Sequence, residues 1–281
     1  MTPAERQEAA LFVLTLAQDA AALIARMYEQ DLVVSFKGKD DPVTEADRAA
    51  NTLICAALGS RYPGMPIVAE ESDPATYAAF ANARAAWFVD PLDGTRDFVK
   101  KNGEFAVMVG LAEDGRATLG VIVMPVGGRA FVGGVDVPAF EAGLDGTKTS
   151  LHVSAVASLT KAELVVSRSR HVGRFEDAAA QFGVRKVTPC GSAGVKAARV
   201  ATGEADVYAQ PGRAGKLWDA CAPEAIVVAA GGRVSDATGQ PIDYRAKTLD
   251  NDRGLLVTNA LLHAPMLELL RRTAGKAPPR N

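Results

Sequence analysis

Apolar residues recur at helical spacing over residues 4–29, where an Ala/Leu-rich stripe is interrupted on its other face by Glu5, Arg6, Glu8, Asp19, Arg26 and Glu29. That pattern predicts a long amphipathic helix. Leu32-Val33-Val34-Ser35-Phe36 then reads as a short β-branched strand, and residues 37–42 as a polar turn ending in Pro42. Thr44 followed by Asp47 fits an N-cap with an acid in the first turn, opening a helix to about Leu58, which Tyr62-Pro63-Gly64 breaks. Pro66-Ile67-Val68-Ala69 is a strand that runs into Glu70 and Glu71, and residues 75–85 carry a helical pattern. Three apolar runs at 105–111, 117–124 and 129–133, joined by short Gly- and Pro-bearing loops, predict an antiparallel meander. Residues 134–160 are irregular and suggest a boundary between two lobes, 1–145 and 146–281. Beyond them strands at 164–167, 185–187 and 206–209 alternate with helices at 172–182 and 192–202, the pattern of α/β units. A helix from Leu217 to Ala230, with Pro223 placed in its first turn, strands at 233–235 and 255–257, a helix at 260–272 and a frayed tail complete the chain.

Candidate chemistry concentrates where the run Trp87-Phe88-Val89 stops at Asp90-Pro91-Leu92-Asp93-Gly94-Thr95. Pro91 fixes φ between two acids three residues apart, so both carboxylates can converge at the carboxyl end of a strand. Converging acids repel unless a cation joins them, and a hard divalent ion with oxygen ligands, Mg²⁺ above all, is the natural partner. Gly94 allows close backbone approach, and Thr95 opens a helix whose first N–H groups favour an anion. Capping and turn formation account for Asp, Gly and Thr equally well on this hexapeptide alone. Glu70 and Glu71 add a second acidic strand end, but neighbours on an extended segment point opposite ways, so one of them at most reaches a shared ion.

Composition narrows the class without naming the chemistry. The 281 residues are 48% hydrophobic and 23% charged, as in an ordinary globular chain, and a formal net charge of −2 offers no case for nucleic-acid polymers or anionic membranes. The first helix lacks a basic leader and a long uninterrupted apolar core, so a cytoplasmic setting is expected. Cys55, Cys190 and Cys221 are far apart and show no zinc spacing, which predicts free and mostly buried thiols. His152, His171 and His263 are scattered, without a motif. Asp-x-x-Asp does not fit the Asp-x-Asp of haloacid dehalogenase-type phosphatases, residues 190–194 lack the first glycine of Gly-x-Ser-x-Gly, and no P-loop is present.

Four stretches in order, residues 43–47, 69–72, 90–95 and Trp218-Asp219, resemble the inositol monophosphatase family of metal-dependent phosphatases across nearly the whole chain. The resemblance implies an α/β (α+β) fold, a layered αβαβα sandwich in which the N-terminal lobe holds a large antiparallel sheet and metals sit between the lobes. It implies metal ligation by Glu70, Asp90, Asp93, Asp219 and the Leu92 carbonyl, with two or three Mg²⁺ ions, lithium sensitivity, and Asp47 and Thr95, with Glu70, around an attacking water. The chemistry is coherent: one ion lowers the pKa of a water, a second neutralises the leaving oxygen, and no protein nucleophile is needed. Family members are often homodimers, so a homodimer is expected.

The substrate side resembles the 3′(2′),5′-bisphosphate nucleotidase branch at Gly191 to Lys196, at residues 203–208 and at Pro241 to Tyr244. By this resemblance Asp93, Gly94, Thr95, Gly191, Ser192, Lys196 and Asp219 face a small phosphorylated substrate. Inositol monophosphatases carry a glutamate seven residues before the last metal aspartate, where this chain has Gly212. A second substrate phosphate would want cations, for which Arg168, Arg170, Lys196, Arg213 and Lys216 are placed, although most helix lysines are solvated.

Overall fold

The computed structural model describes residues 1–30, 34–38, 41–143, 145–169 and 173–274. In chain order the first half is α1 (Pro3–Tyr28), β1 (Val34–Gly38), β2 (Asp41–Thr44), α2 (Glu45–Arg61), β3 (Ile67–Ala69), β4 (Ala85–Asp93), α3 (Thr95–Val99) and a meander. The meander is β5 (Ala106–Glu113), β6 (Arg116–Val123), β7 (Ala130–Gly134), β8 (Val137–Ala142) and β9 (Lys148–Ser150). The second half is β10 (Glu163–Ser167), α4 (Gly173–Gln181), β11 (Lys186–Cys190), α5 (Ala193–Ala201), β12 (Val207–Gln210), α6 (Trp218–Ala229), β13 (Gly232–Ser235), β14 (Leu255–Asn259) and α7 (His263–Ala274).

Strands β3 to β9 form one seven-stranded sheet in sequence order, parallel only between β3 and β4. Strands β11-β10-β12-β14-β13 form a second sheet. Alternation along each strand sorts the core into layers. From β5, Val107, Val109 and Leu111 pack with Val13, Ala17 and Ile24 of α1 and with Ile54 and Leu58 of α2. On the opposite face Met108 packs with α5, α6 and the inner face of the second sheet. The outer face of that sheet is covered by Phe175 and Ala179 of α4 and by Met266 and Leu269 of α7. The result is the αβαβα sandwich expected from the family resemblance. By length and composition α1 could cross a membrane, yet half of its apolar window is buried in the fold.

The middle helical layer owes its depth to glycine. Gly110, Gly120 and Gly133 are direct cross-strand partners on β5, β6 and β7, so they form a row across the sheet. A Cβ on Gly120 would stand 2.3 Å from the carbonyl oxygen of Ala222, and one on Gly110 2.7 Å from the amide nitrogen of Ala222. Only a bare backbone admits α6 this closely. That seating fixes the start of α6, and Asp219 with it, at the carboxyl end of β4.

Several expectations need correction. Residues 75–85 form two short 3₁₀ turns, Pro74–Tyr77 and Phe80–Asn82, the buried rings of Tyr77 and Phe80 anchoring them in the core beside Phe88 within a short span between β3 and β4. The irregular stretch 134–160 contains β8 and β9, so the large sheet extends to Ser150, past residue 145. Pro223 is the sixth residue of α6, inside the helix and not in its first turn. The first predicted strand begins at Val34; Leu32 and Val33, like Arg170, His171 and most of the tail, lie outside the described residues.

Candidate active site

The carboxyl end of β4 is bulged. Asp90 pairs with Met108 and Asp93 with Ala106, so three steps on β4 oppose two on β5. In a regular strand residues three apart face opposite ways, and the extra residue is what turns both acids to one side. Asp219, at the second position of α6, completes the group: Asp90, Asp93 and Asp219 each offer an oxygen within 4.8 Å of the others. Asp90 and Asp93 are buried. Burial pushes the Asp90 carboxyl well above the ordinary range, and the charges of Glu70, Asp93, Asp219 and Asp47 push the same way. Buried, like-charged, hard oxygen donors fit a divalent cation. Glu70 follows β3, its N–H bonded to Val89 O at 3.1 Å, and lines the same cavity, whereas Glu71 does not.

Asp47 divides its carboxylate between the two roles anticipated for it. Oδ2 accepts the Thr44 amide at 2.8 Å and the Thr44 hydroxyl, which is the helix cap. Oδ1 accepts Thr95 Oγ1 at 2.9 Å, and the same hydroxyl lies 3.2 Å from Leu92 O. Burial raises the Asp47 pKa against the lowering effect of these hydrogen bonds. Gly94 precedes Thr95 with φ +96°, and a Cβ there would stand 2.9 Å from Glu104 O.

Residues from the second half close the site in a way the sequence did not disclose. Ser192 Oγ donates to Asp93 Oδ2, and Gly194 N–H donates to the same oxygen at 2.8 Å. Ser192 thus holds an acid in place as well as capping α5, where its Oγ accepts Val195 N–H at 3.1 Å. Gly191 N–H is bonded to Glu104 Oε2 at 2.6 Å. Lys196 is not a solvated helix lysine. It is 3% exposed, its Nζ donates to the carbonyls of Gly191 at 3.1 Å and Ser192, and it lies 4.9 Å from the Tyr208 ring centroid.

Of the site residues expected from the sequence, all but Asp47 and Gly191 line a cavity of about 700 Å³. Arg168 is absent from its lining and is held by Glu104 and by the Pro189 carbonyl at 3.0 Å. Arg213 and Lys216 do line it, and both are bonded to Asp250. Gly212 is not in the wall; Gln210, at the end of β12, is. Sequence reading missed Gln210 because one polar residue at a strand end carries no pattern. Cys190 and Cys221 are buried free thiols, Cys55 is a half-buried one, and His263 is a core residue between Ser235 and Thr258.

The sequence matches the inositol monophosphatase family model over residues 5–272. It is 34% identical over 251 residues to the 3′(2′),5′-bisphosphate nucleotidase CysQ of Salmonella typhimurium, covering 88% of this chain and 98% of that relative. The fold superposes with a TM-score of 0.80 on the Thermotoga maritima IMPase, at 26% identity over 94% of this chain and 97% of the other. For CysQ from Bacteroides thetaiotaomicron, described as a bacterial member of the inositol monophosphatase family, the TM-score is 0.75 at 27% identity, covering 90% and 98%.

Proposed function

This chain belongs to the inositol monophosphatase family and is a phosphatase, and we propose that it acts as a Mg²⁺-dependent 3′(2′),5′-bisphosphate nucleotidase, releasing phosphate from 3′-phosphoadenosine 5′-phosphate to leave AMP. The observation that carries the substrate is the 34% identity to a nucleotidase over nearly the whole of both chains.

Asp90, Asp93, Asp219, Glu70 and the Leu92 carbonyl would hold two or three Mg²⁺ ions. When bound, such ions lower the pKa of a water and neutralise phosphate oxygens. The protein's own part is proton handling and placement. Thr95 Oγ1, donating to Asp47 Oδ1, has lone pairs left to accept a hydrogen bond from the attacking water, and its own proton can pass to Asp47. The raised pKa of Asp47 suits it to take that proton. Ser192 and Gly194 fix Asp93 Oδ2, so the other oxygen would be available to a metal ion. Lithium suppression, a homodimer and a cytoplasmic setting belong to the same reading.

The likeness to an IMPase favours a second reading, hydrolysis of inositol 1-phosphate. Against it, no carboxylate stands at Gly212, and a polyol stripped of water binds poorly without such partners. Steady-state phosphate release with both substrates in one Mg²⁺ buffer decides the matter. The expected result is a higher kcat/KM for the bisphosphate. Equal or better use of inositol 1-phosphate returns the chain to the second reading.

A further inference from the structure

Arg213 and Lys216 stand at the rim of the cavity with their charge already answered. Lys216 Nζ donates to Asp250 Oδ1 at 2.7 Å, and Arg213 Nη2 donates to the same oxygen. Asp250 is not among the residues that line the cavity, so it grips the two cations from behind. Its carboxyl is held down to about 2 by the hydrogen bonds from Lys216 and Arg213. The main chain fastens the two segments together, Ala214 N–H to Asn251 O at 2.8 Å and Leu217 N–H to Leu249 O at 2.9 Å. The same loop reaches the acids, because Lys216 N–H bonds Asp219 Oδ2 at 2.6 Å. Elsewhere Lys196 is buried against backbone carbonyls, and Arg168 does not line the cavity.

We propose that Arg213 and Lys216 form the subsite for the second phosphate of the substrate, and that Asp250 is a resident counter-anion that positions them and competes with that phosphate. The inference rests on the bisphosphate reading given above. The two phosphates of the substrate flank one ribose, so the second subsite must lie about one sugar away from the acids, and Lys216 is three residues from Asp219. The side chains of Arg213, Lys216 and Asp250 are 64%, 37% and 27% exposed. Ion pairs this exposed are weak in water, whereas a dianion offers more oxygens and more charge to both cations. Exchange of partners is therefore favourable, and Asp250 keeps the cations extended over the cavity until it occurs.

The test is kcat/KM for adenosine 3′,5′-bisphosphate divided by kcat/KM for adenosine 3′-phosphate, at fixed Mg²⁺. The variant carrying Arg213→Met and Lys216→Met should lower this ratio by roughly tenfold or more, chiefly through KM for the bisphosphate. Asp250→Asn should raise it about threefold, since it removes an exposed competitor. Added to the variant lacking both cations, Asp250→Asn should leave the ratio where it was. A ratio that survives loss of both cations, or that Asp250→Asn lowers or leaves unchanged, overturns the subsite. Should Asp250→Asn fail to fold, the variant lacking the cations decides alone. A wild-type ratio near one, or no turnover of either nucleotide, overturns the nucleotidase reading instead.

Discussion

Two walls of one cavity handle charge in opposite ways. At the end of β4, Asp90 is buried and its four strongest charged influences, Glu70, Asp93, Asp219 and Asp47, are all carboxylates. At the rim each acid has a cation: Asp250 takes Lys216 and Arg213, and Asp252 lies 3.7 Å from Arg213. The acid wall gathers like charges around one buried carboxylate, an arrangement that a divalent cation suits. The rim is self-neutralised, so a ligand there must displace a partner. Like charges gathered at a buried site are costly and exposed ion pairs are weak, which is why a cation is favoured at the first wall and partner exchange is easy at the second.

The comparison breaks most visibly on the acid wall. Asp93→Asn or Asp219→Ala should nearly abolish turnover while the circular dichroism spectrum stays native, and excess EDTA should do the same to the wild type. A variant with wild-type kcat would remove these acids from metal binding. Next in size, Asp47→Asn or Thr95→Ala should lower kcat by roughly 10²–10⁴-fold, the range of lost proton-transfer help, with Mg²⁺ dependence changed less. An unchanged kcat would leave Asp47 as a helix cap and nothing more.

Stability supplies the finer tests. A raised carboxyl pKa contributes stability that is complete below the unfolded value, 3.8 for Asp90, and is lost as pH rises through the folded one. The contribution therefore declines as pH rises above 3.8, so at pH 8 Asp90→Asn should raise the Tm of the metal-free protein by about 2–4 °C, and Mg²⁺ should stabilise the wild type more than the variant. A lower Tm for metal-free Asp90→Asn would show that the acid wall is not strained by its charges.

Glu224 serves as the control, a half-buried carboxylate outside the acid cluster. Burial pushes it up to about 7, against a hydrogen bond from Tyr244 OH at 2.6 Å and the charge of Arg116. Its contribution is complete below about 4.5 and lost as pH climbs to about 7. Glu224→Gln keeps an acceptor for Tyr244 and should raise Tm by about 2 °C at pH 8, with little change at pH 4.5 and no dependence on Mg²⁺. A Mg²⁺-dependent difference would mean that the acid wall extends down α6.

Much of this site was legible because its chemistry is local. Asp90 to Thr95 is one turn, and residue type and spacing suffice to suggest converging acids. The capping pair of Thr44 and Asp47 was equally plain, since both partners lie within one helical turn. Lys196 was placed on the substrate side by resemblance alone; its burial against the carbonyls at the start of α5 and the Tyr208 ring on β12 depends on residues from distant elements. Residues 75–85 were misread because alanine raises helical propensity, yet two aromatic anchors and a short span between strands decided the backbone.

By itself the sequence determined the element types over most of the chain, the acids that face one another across the β4 turn, and the family resemblance carried by four ordered motifs. Hydrophobic period and turn chemistry are short-range properties, readable from a few adjacent residues. The tertiary structure alone decided which distant residues meet. Strand register aligned Gly110, Gly120 and Gly133 into a seat for α6, and that seat brought Asp219 to Asp90 and Asp93. The packing of α5 set Ser192 against Asp93, and the pairing of residues 214–217 with 249–251 set Asp250 behind Arg213 and Lys216. These contacts span tens of residues, and no local preference encodes them; they follow from how the layers bury their apolar faces.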